Sequence, residues 1–386
     1  MAQFFKKKLN LCIVFNHPCN MENYIVSARK YRPQTFASVV GQQHITTTLR
    51  NAIRAGRLAQ AFLFCGPRGV GKTTCARILA KTINCTNLTP DIEPCNQCPS
   101  CRSFAEGTSM NIFELDAASN NSVDDIRELV KQVYIPPQSG RYKVYIIDEV
   151  HMLSQAAFNA FLKTLEEPPA YAKFILATTE KHKIIPTILS RCQVFDFKRI
   201  HADDIVAHLS AVANQEGINY DIEALHIIAR QAEGGLRDAL SLFDQLASFT
   251  RGNITRQLCN DNLNLLDADY YFRLTDHLRA GDIAQALLLH QQVIEKGFDG
   301  QHFVTGLSEH MRNLLVALDP ATHPLMQASE TERQRYGEQA LLCGMPLLLR
   351  YLDIASDYEY RYKDSGNKRL FVEVLLTKLA ALVAYP

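Results

Sequence analysis

The sequence predicts an α/β fold in which a parallel five-stranded β-sheet, covered by helices, is followed by helical domains. Five short, largely apolar segments in the first half of the chain alternate with helical patterns. Such alternation is typical of a parallel sheet with helices on both faces. After residue 198 the strand patterns stop and amphipathic helical patterns continue. The chain has 386 residues, more than one hydrophobic core usually holds, so we expect two or three domains.

The predicted strands are short and mostly apolar, as expected of strands buried on both faces. They are Ala61 to Cys65, Ile112 to Asp116, Val144 to Asp148, Phe174 to Thr178 and Val194 to Phe197. In a parallel sheet of this kind, ligands bind beyond the carboxyl ends of the strands. Functional residues are therefore expected directly after these segments.

Two helices between the strands have clear boundaries. Ser154 to Glu167 has apolar residues on one face, can be capped by its serine, and stops at Pro168. Ser122 and Asp125 have the spacing of a capping box, which predicts a helix from there through Val133.

The composition excludes several classes of protein. Hydrophobic residues make up 47% and charged residues 21%, and no apolar run approaches the roughly 18 residues of a membrane span. The net charge of +1 restricts any nucleic-acid contact to a local surface. Eleven cysteines at uneven spacings suit a reducing cytosol and a metal site better than a disulfide framework.

The first predicted strand is followed by a glycine-rich phosphate-binding loop. Residues 66–73 read Gly-Pro-Arg-Gly-Val-Gly-Lys-Thr, and a helical pattern begins at Lys72. Glycines let consecutive backbone N–H groups surround phosphate oxygens, while Lys72 reaches the β and γ phosphates and Thr73 ligates Mg²⁺. The expected nucleotide contacts are Gly66, Pro67, Arg68, Gly69, Val70, Gly71, Lys72, Thr73 and Thr74. We therefore expect this loop to bind ATP with magnesium.

Two carboxylates follow the third predicted strand. Asp148 and Glu149 come after four apolar residues, at the edge where the bound phosphates would lie. We expect Asp148 to hold Mg²⁺, directly or through water, and Glu149 to orient or deprotonate the attacking water. The alternative is a solvated strand end without a catalytic role.

Other candidate residues carry weaker signals. Thr178 or Thr179 ends the next strand and could position water or sense the γ phosphate, but a strand-end threonine is an ordinary feature. Arg191 precedes the last strand and Arg237 lies in a helical segment. Either arginine, taken alone, is more often part of a surface ion pair than of an active site.

Four cysteines form a compact pattern. Cys85, Cys95, Cys98 and Cys101 give Cys-x9-Cys-x2-Cys-x2-Cys in a proline-rich segment. Four thiolates occupy every position of a tetrahedral zinc site, which is typical of zinc with a structural role. The two short steps also resemble an iron–sulfur run, but no other redox feature accompanies them. We expect zinc.

Taken together, these motifs resemble the gamma/tau subunits of bacterial DNA polymerase III, which are clamp loaders of the AAA+ ATPase class. The motifs are Ala28 to Phe36, the phosphate loop, the four cysteines, Asp148 to His151, Leu165 to Pro169, Ser190 to Cys192 and Gly235 to Leu240. The resemblance runs from about Tyr24 to about Leu265. Beyond Leu265 it is one of helical character only.

The resemblance implies a ring of five subunits that uses ATP to open a sliding clamp and place it on primed DNA. It implies that Arg191 reaches the ATP of a neighbouring subunit and that Arg237 contacts the subunit's own nucleotide. Thr178 or Thr179 would be the first sensor. The segment 28–40 would line the adenine-binding part of the site, with Arg32, Pro33 and Val40 in contact with the base.

The implied partners are delta and delta-prime subunits, further copies of this chain, the beta sliding clamp and primer-template DNA, within the polymerase holoenzyme. The helix start at Asn120 to Ser122 is a candidate phosphate contact, against the simpler interpretation of a helix cap. The implied location is the cytoplasm, in association with the nucleoid. Because the chain ends at Pro386 after helical sequence, it resembles the shorter gamma form.

The domain prediction combines these observations. Residues 1–20 are a non-native or disordered extension, 21–198 the AAA+ domain with a zinc module at 85–101, 199–264 a helical lid, and 265–386 an oligomerisation collar. Two other functions are considered: another AAA+ motor for branch migration or remodelling, and a structural ring subunit that does not hydrolyse ATP. The cysteine segment disfavours the first and the intact phosphate loop disfavours the second.

Overall fold

A computed structural model describes residues 25–137, 140–263, 266–326, 328 and 330–384. The predicted extension at 1–20 lies outside this part of the chain. The central sheet contains β1 (Ala61–Cys65), β2 (Ile112–Asp116), β3 (Lys143–Asp148), β4 (Ala172–Thr178) and β5 (Gln193–Asp196). All its strands are parallel, in the order β2-β3-β4-β1-β5. The predicted parallel five-stranded α/β fold is confirmed.

Helices cover both faces of this sheet. The helices are α1 (Ser27–Lys30), α2 (Gln43–Arg54), α3 (Lys72–Ile83), α4 (Pro99–Ala105), α5 (Val123–Val133), α6 (Gln155–Glu166) and α7 (Pro186–Leu189), with 3₁₀ turns at Phe36–Ser38, Val150–Met152 and Lys181–Lys183. On one face Ile78 and Leu79 of α3 join the core. On the other, Phe161 of α6 packs edge-on against Phe174, with ring centroids 5.2 Å apart. Both predicted caps are present, because Ser154 accepts from Ala157 N–H and Ser122 forms the capping box.

Three of the five strands, β3, β4 and β5, differ from their predicted boundaries by one or two residues, and buried lysines explain two of the differences. β3 begins at Lys143, whose amine donates to the carbonyl of Gln132 at 2.7 Å. β4 begins at Ala172 and includes Lys173, whose amine donates to the carbonyl of Ala59 at 3.0 Å. A run of apolar residues ends at a lysine, so it does not predict that the strand includes one. These lysines can be buried because backbone carbonyls accept hydrogen bonds from their amines. β5 begins and ends one residue earlier than predicted.

A helical layer follows the sheet domain. It contains α8 (Ala202–Glu216), α9 (Ile222–Gln231), α10 (Leu236–Phe249) and α11 (Arg256–Asn262), which share one apolar core. The prediction that strands stop after residue 198 is wrong in one detail. The two-residue strands β6 (Asn219–Tyr220) and β7 (Asn253–Ile254) pair in parallel between the helices. A two-residue strand is too short to produce an alternating pattern.

The last part of the described chain is helical and has its own core. It contains α12 (Ala268–Arg279), α13 (Ile283–Glu295), α14 (Gly300–Ala317), α15 (Glu330–Cys343), α16 (Met345–Arg361) and α17 (Lys368–Ala384), with 3₁₀ turns at Pro320–Leu325 and Tyr362–Asp364. Gly281 and Gly297 separate helices at φ of 71° and 80°. Gly300 is the first residue of α14, beside the Asp299 cap. The domain boundaries near 198 and 264 stay predictions.

None of the helices in the described ranges is both long enough and apolar enough to cross a membrane.

Candidate functional site

The phosphate loop connects β1 to α3 and folds around the Lys72 side chain. Gly66, Gly69 and Gly71 adopt φ of 145°, 75° and 101°, values that favour glycine. The Lys72 amine donates to the carbonyl of Gly66 at 2.7 Å and to that of Pro67 at 2.6 Å. Burial lowers the pKa of this amine, while the nearby carboxylates of Glu149 and Asp148 act in the opposite direction. The loop therefore holds its lysine at the centre of a backbone cradle.

Helix α10 packs directly onto this loop. The backbone N–H of Arg237 donates to the carbonyl of Gly69 at 3.3 Å. A Cβ on Gly69 would lie only 3.0 Å from Asp238 Oδ2 and 3.1 Å from Gly235 Cα. Glycine at position 69 is therefore required both by its backbone conformation and by this close approach.

Asp148 lies beside Thr73 at the carboxyl end of β3. The Thr73 hydroxyl donates to Asp148 Oδ2 at 2.5 Å, and the backbone N–H of Glu149 donates to Asp148 Oδ1 at 3.0 Å. A hydroxyl and a carboxylate are the oxygen ligands that Mg²⁺ prefers beside phosphates. The structure thus brings together the two residues predicted to hold magnesium.

Glu149 is held by residues from the end of β4. Its Oε2 accepts from the Thr179 hydroxyl at 2.9 Å and from the Thr179 backbone N–H at 3.3 Å. The buried His151 ring places Nδ1 3.4 Å from the same oxygen and Nε2 3.3 Å from Glu180 Oε1. His151 Nδ1 is also 3.1 Å from the Thr178 hydroxyl, which accepts from the Glu180 N–H. Thr179, rather than Thr178, reaches the predicted general base.

A cleft of about 660 Å³ lies between the phosphate loop, the N-terminal segment and α10. Its lining includes the predicted residues Arg32, Pro33, Val40, Arg68, Gly69, Val70, Gly71, Lys72, Thr73, Thr74, Asp148, Glu149 and Arg237. Sequence reasoning missed Val26, Ile200, Leu236 and Leu240, which also line it. The i, i+4 spacing of Leu236 and Leu240 around Arg237 was a signal that could have found two of them.

Arg32 forms part of the cleft wall. Its Nε donates to the Thr74 hydroxyl at 3.3 Å, which ties the N-terminal segment to α3. Burial is the main cause that lowers the pKa of Arg32, and the positive charge of Arg77 acts in the same direction. The cleft therefore contains a partly desolvated cation in addition to Lys72.

The four cysteines converge on one point beside α4. All four sulfurs lie within 4.8 Å of one another, with Cys85 Sγ 3.5 Å from Cys95 Sγ and 4.0 Å from Cys98 Sγ. Four ligands at a Zn–S distance of about 2.3 Å would lie about 3.8 Å apart. The N–H groups of Gln97 and Cys98 lower the pKa of the Cys95 thiol, whereas burial raises the pKa of the Cys85 and Cys101 thiols. The donor set and spacing fit a closed tetrahedral zinc site.

Three protein-family models match successive parts of the chain. The model described as DNA polymerase III, delta subunit, matches residues 41–201. The model for the ATPase lid domain of a DNA polymerase III clamp loader subunit matches residues 204–252. The model for domain III of the DNA polymerase III subunits gamma and tau matches residues 232–386.

One curated relative covers most of the chain and most of its own length. The gamma subunit of DNA polymerase III from Buchnera aphidicola subsp. Baizongia pistaciae is 40% identical over 295 residues, which are 76% of this chain and 79% of that protein. The chain belongs to the gamma/tau family of DNA polymerase III clamp-loader subunits. The resemblance drawn from the motifs is confirmed. Its predicted limit near Leu265 is wrong, because the gamma/tau match continues to residue 386. Helical patterns alone do not distinguish one family from another, so they could not indicate this part of the match.

The gamma/tau relatives differ from this chain in length. DNA polymerase III subunit tau of Bacillus subtilis is 40% identical over 361 residues, which are 92% of this chain and 63% of that protein. The chain spans less than two thirds of that relative.

Among solved structures, the Thermotoga maritima RuvB Holliday junction branch migration motor is 18% identical with a TM-score of 0.46, over 64% of this chain and 79% of that one. A likeness at this level carries no functional argument.

Two predicted sites of this gamma/tau family member lie away from the cleft. Within the described part of the chain, Arg191 does not line the cleft, and its guanidinium donates to Glu166 Oε1 at 2.7 Å and to the Thr187 carbonyl at 2.8 Å. The helix start at Ser122 is capped by its own side chain and by Asp125. The structure therefore agrees with the interpretation of this helix start as a helix cap.

Proposed function

We propose that this chain is an ATP-hydrolysing subunit of a clamp loader that places a sliding clamp on primed DNA. The observation that carries the proposal is the contact between Thr73 and Asp148 beside Lys72, within a cleft large enough for a nucleotide. A lysine, a metal-binding oxygen pair and a second carboxylate at one end of a parallel sheet are the parts that phosphoryl transfer needs. The family supports the same activity.

In the proposed reaction each residue has a separate role. Lys72 and the loop N–H groups bind the β and γ phosphates, and Thr73 and Asp148 would hold Mg²⁺, which neutralises charge on those phosphates. Glu149 accepts the proton of the water that attacks the γ phosphorus as the bond to ADP breaks. Thr179 and His151 fix the direction of the Glu149 carboxylate.

The adenosine would lie against the apolar and cationic walls of the cleft. Arg32, Pro33 and Val40 form one side, and Arg237 with its neighbouring leucines forms the other. Because Arg237 is on α10, which also contacts Gly69, nucleotide at this site would link the sheet domain to the helical layer. We propose that residues 199–264 act as the lid of the site and that residues 265–386 form the collar.

We propose that Arg191 completes the site of a neighbouring subunit. The carbonyl of Thr187 and the exposed Glu166 carboxylate hold its guanidinium outside the cleft of its own chain. An arginine supplied in trans makes hydrolysis depend on assembly, so the isolated chain should be a poor ATPase. Arg191→Ala is therefore expected to leave ATP binding unchanged and to slow hydrolysis in the assembled ring about a thousandfold or more per affected site.

The Arg191 prediction is tested by nucleotide titration of the isolated chain and by single-turnover hydrolysis in the ring. Arg199→Ala is the matched control, because Arg199 is an exposed arginine paired with Glu233. Equal loss of binding and hydrolysis in Arg191→Ala would place this residue in its own subunit's site and contradict the proposal.

The proposed partners are delta and delta-prime subunits, other copies of this chain, the beta clamp and primer-template DNA, in the cytoplasm at the nucleoid. Clamp loading on primed circular DNA with these purified partners tests the function. We expect clamp transfer that requires this chain and ATP. A complex that hydrolyses ATP but never closes a clamp on DNA would instead favour another remodelling activity of the same class.

We propose that Cys85, Cys95, Cys98 and Cys101 hold one structural zinc ion. The sulfur spacing supports zinc, whose four thiolates leave no open coordination position. Native mass spectrometry of the purified chain should find one zinc per chain, and Cys98→Ser should lose it. Iron, or a chain without metal under the same conditions, would refute the assignment.

A further inference from the structure

We infer that the cysteine module holds one wall of the nucleotide cleft in place, with Glu93 as the positioning residue that links the two. The cysteine module is the segment 85–101, and the cleft strap is the segment 32–40, whose two ends line the cleft. This inference rests on the proposed nucleotide site. It gives the module a role in nucleotide binding in addition to its own folding.

Glu93 makes direct contact with the cleft strap. Its Oε2 accepts from the backbone N–H of Phe36 at 2.6 Å, and its Oε1 accepts from that of Ala37 at 2.9 Å. The residue is only 8% exposed, and Arg50 of α2 lies 3.7 Å from Oε1. Hydrogen bonds from N–H groups to a carboxylate with little water around it are among the stronger ones in proteins.

The cysteine module fixes the position of Glu93. The Glu93 N–H donates to the Thr89 hydroxyl, and the Thr89 N–H donates back to the Glu93 carbonyl, both at 3.0 Å. Ile92 adopts a left-handed φ of 61° within this turn. Only Pro94 separates Glu93 from Cys95, a member of the sulfur cluster. A change in the cluster therefore moves the carboxylate that the strap depends on.

The cleft strap has few other polar anchors. Arg32 and Pro33 at one end and Val39 and Val40 at the other line the cleft. Arg32 contacts Thr74, and Gln34 accepts from the buried Lys81 amine at 2.9 Å, so both of these bonds tie the first part of the strap to α3. The turn at Phe36–Ser38 has internal hydrogen bonds between Thr35 and Ser38, and Glu93 of the cysteine module binds its backbone from outside the strap.

Loss of the Glu93 contact should affect nucleotide binding more than folding. Phe36 and Val39 are buried in the sheet-domain core, so the domain stays folded without the carboxylate. The strap ends would then populate several positions, of which only one is competent to bind MgATP. The apparent MgATP affinity would equal the intrinsic affinity multiplied by the fraction of chains in that position. The loop N–H groups that bind phosphates do not contact the strap turn, so phosphate affinity should not change.

Glu93→Gln in the full chain tests the inference, because it keeps the shape of the side chain but replaces one acceptor with a donor. Titration calorimetry should show MgATP binding weakened about tenfold, with zinc content and magnesium tripolyphosphate binding unchanged. A general folding defect would weaken both ligands, which is why tripolyphosphate is included. Glu106→Gln is the matched control, since Glu106 is an exposed glutamate just after α4.

A second variant tests the role of the sulfur cluster. Cys98→Ser should weaken MgATP binding by a similar factor, and the double variant should be no worse than Cys98→Ser alone, because both changes release the same strap. Unchanged MgATP affinity in Glu93→Gln would overturn the inference, and so would an equal loss of tripolyphosphate binding. Failure of the unaltered chain to bind MgATP would instead overturn the proposed nucleotide site.

Discussion

Replacing Lys72 with alanine is expected to remove nucleotide binding from the isolated chain. The Lys72 amine is buried at the centre of the phosphate loop and is held by the carbonyls of Gly66 and Pro67. It is the cation placed to contact the β and γ phosphates, and contacts of this charged kind contribute about 3 kcal/mol, or more than a hundredfold in affinity. Calorimetric titration of MgATP into Lys72→Ala and the unaltered chain measures the effect.

Lys163→Ala is the control for this experiment, because Lys163 is an exposed lysine on α6. It should bind MgATP as the unaltered chain does. If Lys72→Ala also retained the original affinity, the nucleotide would have to bind elsewhere, and the assignment of the cleft would be wrong.

Glu149→Gln is expected to separate binding from hydrolysis. Glutamine preserves the shape of the side chain and can still bond to Thr179, but it cannot accept the proton of the attacking water. General-base catalysis contributes about a hundredfold to ten-thousandfold in rate, so single-turnover hydrolysis in the assembled ring should fall by at least a hundredfold. MgATP affinity should stay close to that of the unaltered chain, because Glu149 is not expected to hold the phosphates.

The matched control is Glu167→Gln, an exposed glutamate at the end of α6. Its hydrolysis rate should equal that of the unaltered chain. A Glu149→Gln ring that turns over ATP at the normal rate would show that another residue is the base, and Asp148 would then be the next candidate.

Much of the sheet domain could be predicted because its signals are local. A strand buried on both faces needs a short apolar run, and β1, which is buried throughout, has the predicted boundaries. β2 has them too, although it is an edge strand whose Glu114 and Asp116 are exposed. The Ser122 capping box depends on residues only three apart, and the structure contains it. The phosphate loop is likewise a continuous segment, whose glycine φ values and central Lys72 agree with the predicted geometry.

The residues that sequence reasoning missed depend on contacts between distant segments. Glu93 meets Phe36 across 57 positions, and the predicted base Glu149 meets Thr179 across 30. No local pattern indicates which of two neighbouring threonines will point at a carboxylate, so Thr178 and Thr179 could not be separated. The position of Arg191 outside the cleft also follows from the packing of α6 beside α7, which spacing alone does not define.

Hydrolysis at this site should drive clamp loading, and the steady-state ATP turnover of a reconstituted loader measures that coupling. Turnover is measured with delta, delta-prime, the beta clamp and primed DNA, using either the unaltered chain or Lys72→Ala. We expect that clamp and primed DNA together stimulate turnover with the unaltered chain and that Lys72→Ala abolishes the stimulated rate. Stimulated turnover that persists in Lys72→Ala would contradict it.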